Sequence, residues 1–523
     1  MTKQTITVES IMEASQANGI GLPQLLAMIN SVDKSGIPTL LCDFYKTSHV
    51  HQYPNGTETV YSTWIPRSNK YFPLSNEVVA FGFQAFIKKF LIDFFNVHFF
   101  ARPKEEVVAE YARYIKHCLF VENPDVSHIA ELHDLGYLPL HIKALKEGTL
   151  TPIKVPMLTV VNTGDFFWVT NYFETMMSAE YWGPSTAATI ALVYRRILNE
   201  YALATTGTTD GVEFQGHDFG LRGMLGTDAG KLTGAGHLLS FVGTDTIPAI
   251  SFHEAYYNAN IEKEIVGTSI PATEHSVMCS YGQDEEAAFR ELITEKYPHG
   301  FISIVSDTWD FWNIVSVVIP TLKNEILARD GKVVIRPDSG DPVKILIGDP
   351  ESDNEFVHKG LIECLWDVFG GTVTEQGFKI LDSHIGAIYG DSITPARCEA
   401  ICEGLKEKGF ASTNVVYGIG SFTYQYNTRD TFGFAMKATD VTIKGVEKAI
   451  FKDPKTDDGT KKSLRGRVIV RKGEDGKLEA VDGLTIEEQQ AHAHEDLLED
   501  VFIDGKLVRD QSLAEIREIL AKQ

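Results

Sequence analysis

A recurrence in the middle of the chain restricts the fold more than any other feature: short apolar runs end repeatedly in a polar loop containing glycine or its small neighbours. The loops are His217-Asp-Phe-Gly-Leu-Arg222, Gly243-Thr-Asp245-Thr, Pro271-Ala-Thr-Glu-His275, Ser306-Asp307-Thr, Arg336-Pro-Asp338-Ser-Gly, Gly390-Asp391-Ser and Gly418-Ile-Gly420-Ser. Apart from one wider gap between Asp338 and Gly390, their spacing is near the roughly 30 residues of one strand, loop and helix unit in a (β/α) barrel. Helical patterns over Asp284 to Lys296 and Ala396 to Lys408 fill the intervals, so parallel strands with returning helices are expected. Strand ends in such barrels converge on one face, which gathers these Asp, Arg, His and Gly residues around one cavity. Helix capping and turn formation account for many of the glycines and serines. They do not account for two arginines and a histidine at the same relative position.

The barrel is expected over 181–430. Residues 1–38 read as a separate amphipathic extension with an apolar patch at Leu25, Leu26, Met28 and Ile29. Residues 39–180 carry a strand at Thr59 to Trp64, helices near 77–96 and 104–117, and an alternating strand at Ile153 to Val161. Residues 431–523 carry a strand at Arg467 to Arg471, an acidic helix from Ile486 and a final helix from Ser512, and are expected to complete a second domain with the 39–180 part, which also leads into the barrel.

Charge narrows the partners. With 48 basic and 71 acidic side chains the net charge is −23, which opposes binding of nucleic acid over a broad surface but leaves room for small phosphates in a basic pocket. Six scattered cysteines without a Cys-x-x-Cys pair indicate neither a disulfide framework nor a zinc site, and fit a reducing cytoplasm. Met1 to Gln4 lead into polar residues rather than the apolar core of a signal peptide. The greasiest stretch, Val78 to Phe95, is interrupted by Lys88, Lys89 and Asp93, so a buried amphipathic helix is expected there, not a membrane span.

Among local motifs, Gly226-Thr-Asp-Ala-Gly230-Lys231-Leu232 has one residue too few and no Ser or Thr for a P-loop, and reads as the turn into a helix. His253-Glu254 lacks the second histidine of a zincin, and His492 and His494 read as solvated surface. Arg336-Pro-Asp338-Ser-Gly places a guanidinium suited to phosphate beside a carboxylate suited to sugar hydroxyls, with a structural ion pair as the alternative. Gly418 to Ser421 offers backbone N–H groups at a helix start for a phosphate monoester. Phe219 with Arg222, and Tyr45 in Asp43-Phe-Tyr45-Lys46, supply rings that either stack on a flat heterocycle or pack in the core.

Taken in order, Asp43-x-Tyr45-Lys46, His217-Asp-Phe219-Gly-x-Arg222-Gly, Gly243-Thr-Asp245-Thr, Pro-Ala-x-Glu274-His275-Ser, Ile-Arg336-Pro-Asp338-Ser-Gly and Thr428-Arg429-Asp430 resemble the nicotinamide phosphoribosyltransferase family, from about residue 39 onward. The resemblance implies a type II phosphoribosyltransferase: an α/β barrel joined to a mostly β second domain, in a homodimer with active sites at the interface. It implies substrates nicotinamide and 5-phosphoribosyl 1-pyrophosphate, Mg2+, and ATP hydrolysis coupled through a phosphohistidine. Phe219 and a partner's Tyr45 would sandwich the pyridine, with Asp245 accepting from the carboxamide and Arg222 beside them. Arg222, Arg336, Arg429, Lys437 and Lys452 would hold the phosphate groups, and Asp338 and Asp391 the ribose or Mg2+. Gly390, Gly420 and Ser421 would add backbone contacts, although Ser421 and Phe422 stand where animal members have glycines. His275 matches the phosphorylated histidine and Asp307 the residue that orients it. A nicotinate phosphoribosyltransferase and a non-catalytic protein on the same fold are the rival readings.

Overall fold

A computed structural model describes residues 36–390, 392–456 and 462–523, so the apolar patch at Leu25 to Ile29 and the side chain of Asp391 lie outside the described residues. Six parallel strands form the central sheet in the order Gly243–Thr244, Gly216–Asp218, Val415–Ile419, Ile385–Tyr389, Val333–Arg336, Ile302–Val305. Residues 268–273 then bridge the two edges: Thr268 N–H donates to Val242 O at 2.7 Å and Ser303 N–H to Pro271 O at 2.9 Å. The ring is thereby curled into the expected barrel. Strands such as Ile302–Val305 and Val333–Arg336 are buried along their whole length, as parallel strands covered on both faces must be.

The Gly226 to Leu232 run begins the helix Thr227–His237, which lies against the 33-residue helix Glu174–Thr206. Gly236 allows that approach, because a β-carbon there would sit 2.6 Å from Pro184 O and 2.7 Å from Ala188 N.

Beside the barrel stands an antiparallel sheet in the order Val446–Ala449, Ala435–Ile443, Thr57–Ile65, Leu158–Asn162, Leu140–Ala144, Glu499–Ile503, Lys506–Leu507. Its second and third strands join a C-terminal strand to an N-terminal one, with Val60 opposite Val441 and Trp64 opposite Met436. Trp64 stacks on Phe434 beneath it. Two expectations shift. The β-branched Val78 and Val79 form a strand with Leu150–Pro152, and helical structure starts only at Phe83, after Gly82 turns the chain at φ 106°. The strand expected from Ile153 begins at Leu158, because Lys154 adopts φ 73° and ends the preceding pairing. Among the described residues no helix is long and apolar enough to cross a membrane.

Glu147, fully buried, ties the two parts together. Its Oε2 and Oε1 accept from the N–H groups of Gly82 (3.1 Å) and Gln84 (2.7 Å), and its own N–H donates to Gln511 Oε1 at 2.8 Å. Gln84 Nε2 in turn donates to Tyr256 O, at the end of the barrel helix Ile247–Tyr256. Burial pushes the Glu147 carboxyl up to about 7. A carboxyl raised above its ordinary 4.5 favours the folded state below that value and loses this contribution as pH climbs through about 7. The loss is of order 3 kcal/mol. Thermal midpoints measured between pH 5 and 8 should therefore fall more steeply for the wild type than for Glu147→Gln, whatever the absolute stability of the variant. Parallel slopes would remove Glu147 from this role.

Candidate active site

The loops at the strand C-termini enclose a cavity of about 990 Å3 lined by Phe219, Arg222, Asp245, His275, Arg336, Asp338, Gly390, Gly420 and Ser421, among others. It continues into a more apolar space of about 550 Å3 inside the barrel, and Phe219, Asp245, Ala272 and Arg336 border both. One chain therefore gathers Phe219, Arg222, Asp245, His275, Arg336, Asp338, Gly390, Gly420 and Ser421 into one connected site.

At the mouth of the inner space, register creates the local geometry. The parallel pairing sets His217 level with Gly243 and Asp218 level with Thr244, which carries Asp245 beside Phe219. The His217 and Phe219 rings lie 4.5 Å apart. Asp245 Oδ1 accepts from Ser269 Oγ at 2.6 Å and from His217 Nε2 at 2.9 Å, while Oδ2 has no hydrogen-bond partner among the described residues. Burial alone would raise the Asp245 pKa, but the bonds from His217 and Ser269 outweigh it and hold the carboxyl below its usual range. The site thus presents a fixed carboxylate next to an aromatic ring. His217 and Ser269 were not assigned roles from sequence, although His217 belongs to the same motif as Phe219.

Behind this wall His237, fully buried, bridges two loops. Its Nε2 bonds Gly243 O at 3.0 Å, and its Nδ1 bonds the Tyr424 hydroxyl at 2.7 Å. Since a carbonyl only accepts, Nε2 carries the hydrogen and Tyr424 O–H donates to Nδ1. Burial lowers the His237 pKa, consistent with that neutral form. Gly243 precedes Asp245 by two residues, and Tyr424 sits on the turn of helix after Gly420 and Ser421. Tyr424→Phe leaves the buried Nδ1 of His237 without its donor, so the thermal midpoint should fall by the equivalent of about 1 to 3 kcal/mol, and kcat/KM should fall about 2- to 10-fold with it. Unchanged kinetics would show that the link is structural only.

On the other side of the cavity, Arg336 ends its strand nearly buried, donating from Nη2 to Thr273 O at 2.6 Å, with Nε 3.5 Å from Asp338 Oδ1. Asp307 Oδ2 accepts from Asp338 N–H (3.0 Å), Ser339 N–H (2.7 Å) and Ser339 Oγ (2.5 Å), which fixes the Arg336 to Gly340 turn. His275 opens a short helix; its Nδ1 bonds Thr308 Oγ1 at 3.0 Å, and its Nε2 lies 3.8 Å from Asp307 Oδ1 and 3.9 Å from Asp338 Oδ2. The expected orienting bond to Asp307 is thus made by Thr308, because Asp307 spends one oxygen on the neighbouring turn and stands at ion-pair distance only. Asp307 Oδ1 is buried without a hydrogen-bond partner among the described residues. With Asp338 nearby, this hard oxygen set suits a cation that keeps its water and shares phosphate oxygens, as Mg2+ does. No group of three or more metal-ligating side chains occurs among the described residues.

Besides Asp307, which stands behind the turn it braces, four expected residues do not line the cavity. Tyr45 projects from the turn Phe44–His51, more than half exposed. Beside it, buried Lys46 pairs with Glu174 at 2.5 Å, and Lys437 reaches the same carboxylate at 3.8 Å. Arg429, near Asp430, and Lys452 are exposed.

Residues 214–506 match the nicotinate phosphoribosyltransferase family, and residues 39–142 match the N-terminal domain of nicotinamide phosphoribosyltransferase. A nicotinamide phosphoribosyltransferase of Acinetobacter baylyi is 49% identical over 501 residues, covering 93% of this chain and 97% of the relative. A protein of the same name from Xanthomonas campestris pv. campestris is 32% identical over 488 residues, covering 91% and 96%. In fold, the chain resembles nicotinate-nucleotide pyrophosphorylase from Pyrococcus furiosus, with a TM-score of 0.56, 14% identity and coverage of 100% and 98%. Human nicotinic acid phosphoribosyltransferase gives 0.51 at 17% identity, covering 92% and 93%.

Proposed function

Because the chain belongs to the nicotinamide phosphoribosyltransferase family, we propose that it joins nicotinamide to 5-phosphoribosyl 1-pyrophosphate, releasing pyrophosphate and nicotinamide mononucleotide. The observation that carries the reading is the ionised Asp245, braced by His217 and Ser269 beside Phe219, with Arg336 bordering the same space. Phe219 stacks on the pyridine, and Asp245 Oδ2 accepts from the carboxamide. Arg222 and Arg336 bind the phosphate groups, and Asp338 holds ribose hydroxyls. The ring nitrogen then displaces pyrophosphate at C1 of the ribose through a transition state of oxocarbenium character. Orientation and charge stabilisation supply the rate, and no acid or base is needed at the nitrogen. Asp338, with Asp307 beside it and Asp391 by its motif, would hold Mg2+ together with the substrate's phosphates, where the ion would supply charge neutralisation for the departing pyrophosphate. Pyrophosphate release that depends on Mg2+ and nicotinamide, and does not occur with nicotinate, is the expected result. Release with nicotinate alone would assign the chain to the acid-specific reaction.

We further propose that the active unit is a two-fold dimer in which Tyr45 of one copy covers Phe219 of the other. Tyr45 stands exposed on its own chain, and at the cavity rim Phe422 and Tyr426 stack on each other while largely exposed. Closed two-fold symmetry pairs such surfaces reciprocally. Co-expressed Tyr45→Ala and Phe219→Ala chains, each inactive alone, should regain about one-quarter of wild-type sites, since each mixed dimer contains one intact site. No recovery in a confirmed mixed dimer would sink the shared site.

His275 is proposed to accept the γ-phosphoryl group of ATP. Thr308 occupies Nδ1, which leaves Nε2 facing the cavity beside Asp338. Incubation with γ-labelled ATP should leave acid-labile phosphate on the wild type and none on His275→Ala; equal labelling refutes the assignment. A cytoplasmic setting is proposed as well, supported by six free cysteines.

A further inference from the structure

On the barrel face where the strands begin, away from the catalytic loops, lies a second cavity of about 590 Å3. Its walls come from the helix Glu174–Thr206, from the segments leading into the strands Gly216–Asp218 and Gly243–Thr244, and from the C-terminal helix Leu513–Ala521. Three guanidinium groups, Arg195, Arg196 and Arg517, line it with one acidic side chain, Glu213, and with the last residue, Gln523. That is a local excess of positive charge in a chain whose net charge is −23.

Arg517 is the informative member. Its Nε and Nη2 donate to Leu238 O at 2.9 and 2.6 Å, Nη2 also to Val266 O at 2.7 Å, and Nη1 to Ile265 O at 2.8 Å. These carbonyls satisfy N–H groups but do not neutralise a charge, and burial pushes the Arg517 pKa down to about 10. Arg195 donates to Ser240 O at 2.6 Å and has Glu213 only at 3.9 Å. Arg196 makes no hydrogen bond or ion pair among the described residues. In the same wall the Ser240 hydroxyl is buried without a partner among those residues. Apolar surface from Leu239 and Phe241 adjoins the charges.

We propose that this cavity binds a phosphorylated small molecule of the nucleoside monophosphate class, at a site separate from the catalytic one. The phosphate adds counter-charge where Arg196 and Arg517 have no ion pair among the described residues and Arg195 has Glu213 at 3.9 Å; the Ser240 hydroxyl gains an acceptor, and the base covers the apolar wall. An occupant would also reach the chemistry. Phe241 packs against Gly216, where a β-carbon would lie 2.7 Å from its ring, and Val242 N–H donates to Glu213 O at 2.9 Å. Gly216 begins the strand that carries His217, next to Phe219.

The test is calorimetric titration of the purified full chain with AMP, inorganic phosphate and adenosine. Because the catalytic cavity also takes phosphates, the titration is run on Arg336→Ala and, independently, on wild type with that cavity filled by 5-phosphoribosyl 1-pyrophosphate. AMP should bind in both, more tightly than phosphate, weakening with added salt, while adenosine should not bind measurably. Arg196→Glu, on the outer face of a long helix, should bind AMP at least about tenfold more weakly at this site and keep its basal turnover. Absence of AMP binding at millimolar concentration, insensitivity to Arg196→Glu, or adenosine binding as well as AMP would each overturn the proposal. Phosphate binding as well as AMP would overturn the nucleoside part of it.

Discussion

Gly390→Ala is expected to cut kcat/KM by about a hundredfold or more while leaving the chain folded. Gly390 follows the strand Ile385–Tyr389, and a β-carbon there would fall inside the van der Waals envelope of Asp338 Oδ1 and 3.5 Å from Arg336 Cδ. Space, not backbone conformation, is the constraint, since Gly390 is not among the residues with positive φ. The group that must yield is the end of a side chain, so the Asp338 carboxylate swings aside and the strand survives. That motion removes Asp338 from its 3.5 Å approach to Arg336 Nε and from its place 3.9 Å from His275. Misplacing a positioning group by about 1 Å costs about two orders of magnitude in rate. Gly418→Ala is the contrasting control: its β-carbon would meet backbone, Tyr389 O at 2.5 Å, so stability should fall there along with activity. The comparison is read from kcat/KM and thermal midpoint together. Near-normal turnover in Gly390→Ala would mean that Asp338 does not act from its observed position.

The barrel was legible because its signal repeats. Each buried strand needs apolar side chains on both faces, and each strand end needs a turn, so the alternation returns at every stave. The wide interval after Asp338 still holds one stave; the excess is the helices Pro342–Ile347, Glu355–Lys359 and Leu361–Phe369 and the hairpin Gly371–Val373 with Lys379–Leu381. Residues 268–273 close the ring without regular pairing, and only the loop at their end marked them. Contacts that depend on register were not legible. Ser269 reaches Asp245 because Thr268 bridges Gly243, and Thr308 rather than Asp307 reaches His275 because Asp307 turns toward Ser339. Neither pairing leaves a spacing in the chain. Tyr45 was identified by its motif, but its function as a covering ring requires a second copy, and nothing local to Asp43-Phe-Tyr45-Lys46 separates that use from packing.

Asp245→Asn should lower the preference for nicotinamide over nicotinate, measured as the ratio of their kcat/KM values, by at least one to two decades. The wild-type carboxylate keeps Oδ1 occupied by His217 and Ser269, so the free Oδ2 can only accept. A carboxamide N–H satisfies it, and a bond to a charged acceptor is worth about 1.5 to 3 kcal/mol, or about one to two decades. Nicotinate brings a second carboxylate to the same point and is repelled. In the variant, the Asn Oδ1 still accepts from His217 and Ser269, which fixes Nδ2 where Oδ2 stood. The atom facing the substrate changes from acceptor to donor, so it opposes an amide N–H and welcomes a carboxylate oxygen. The hydrogen bonds that hold Asp245 below the usual carboxylate range also make a pH prediction. A depressed carboxyl stays ionised above its ordinary 3.8 and loses its charge only as pH falls through the lowered value. Wild-type selectivity should therefore persist to the lowest pH at which the enzyme turns over. An unaltered ratio in folded Asp245→Asn would show that another group reads the carboxamide.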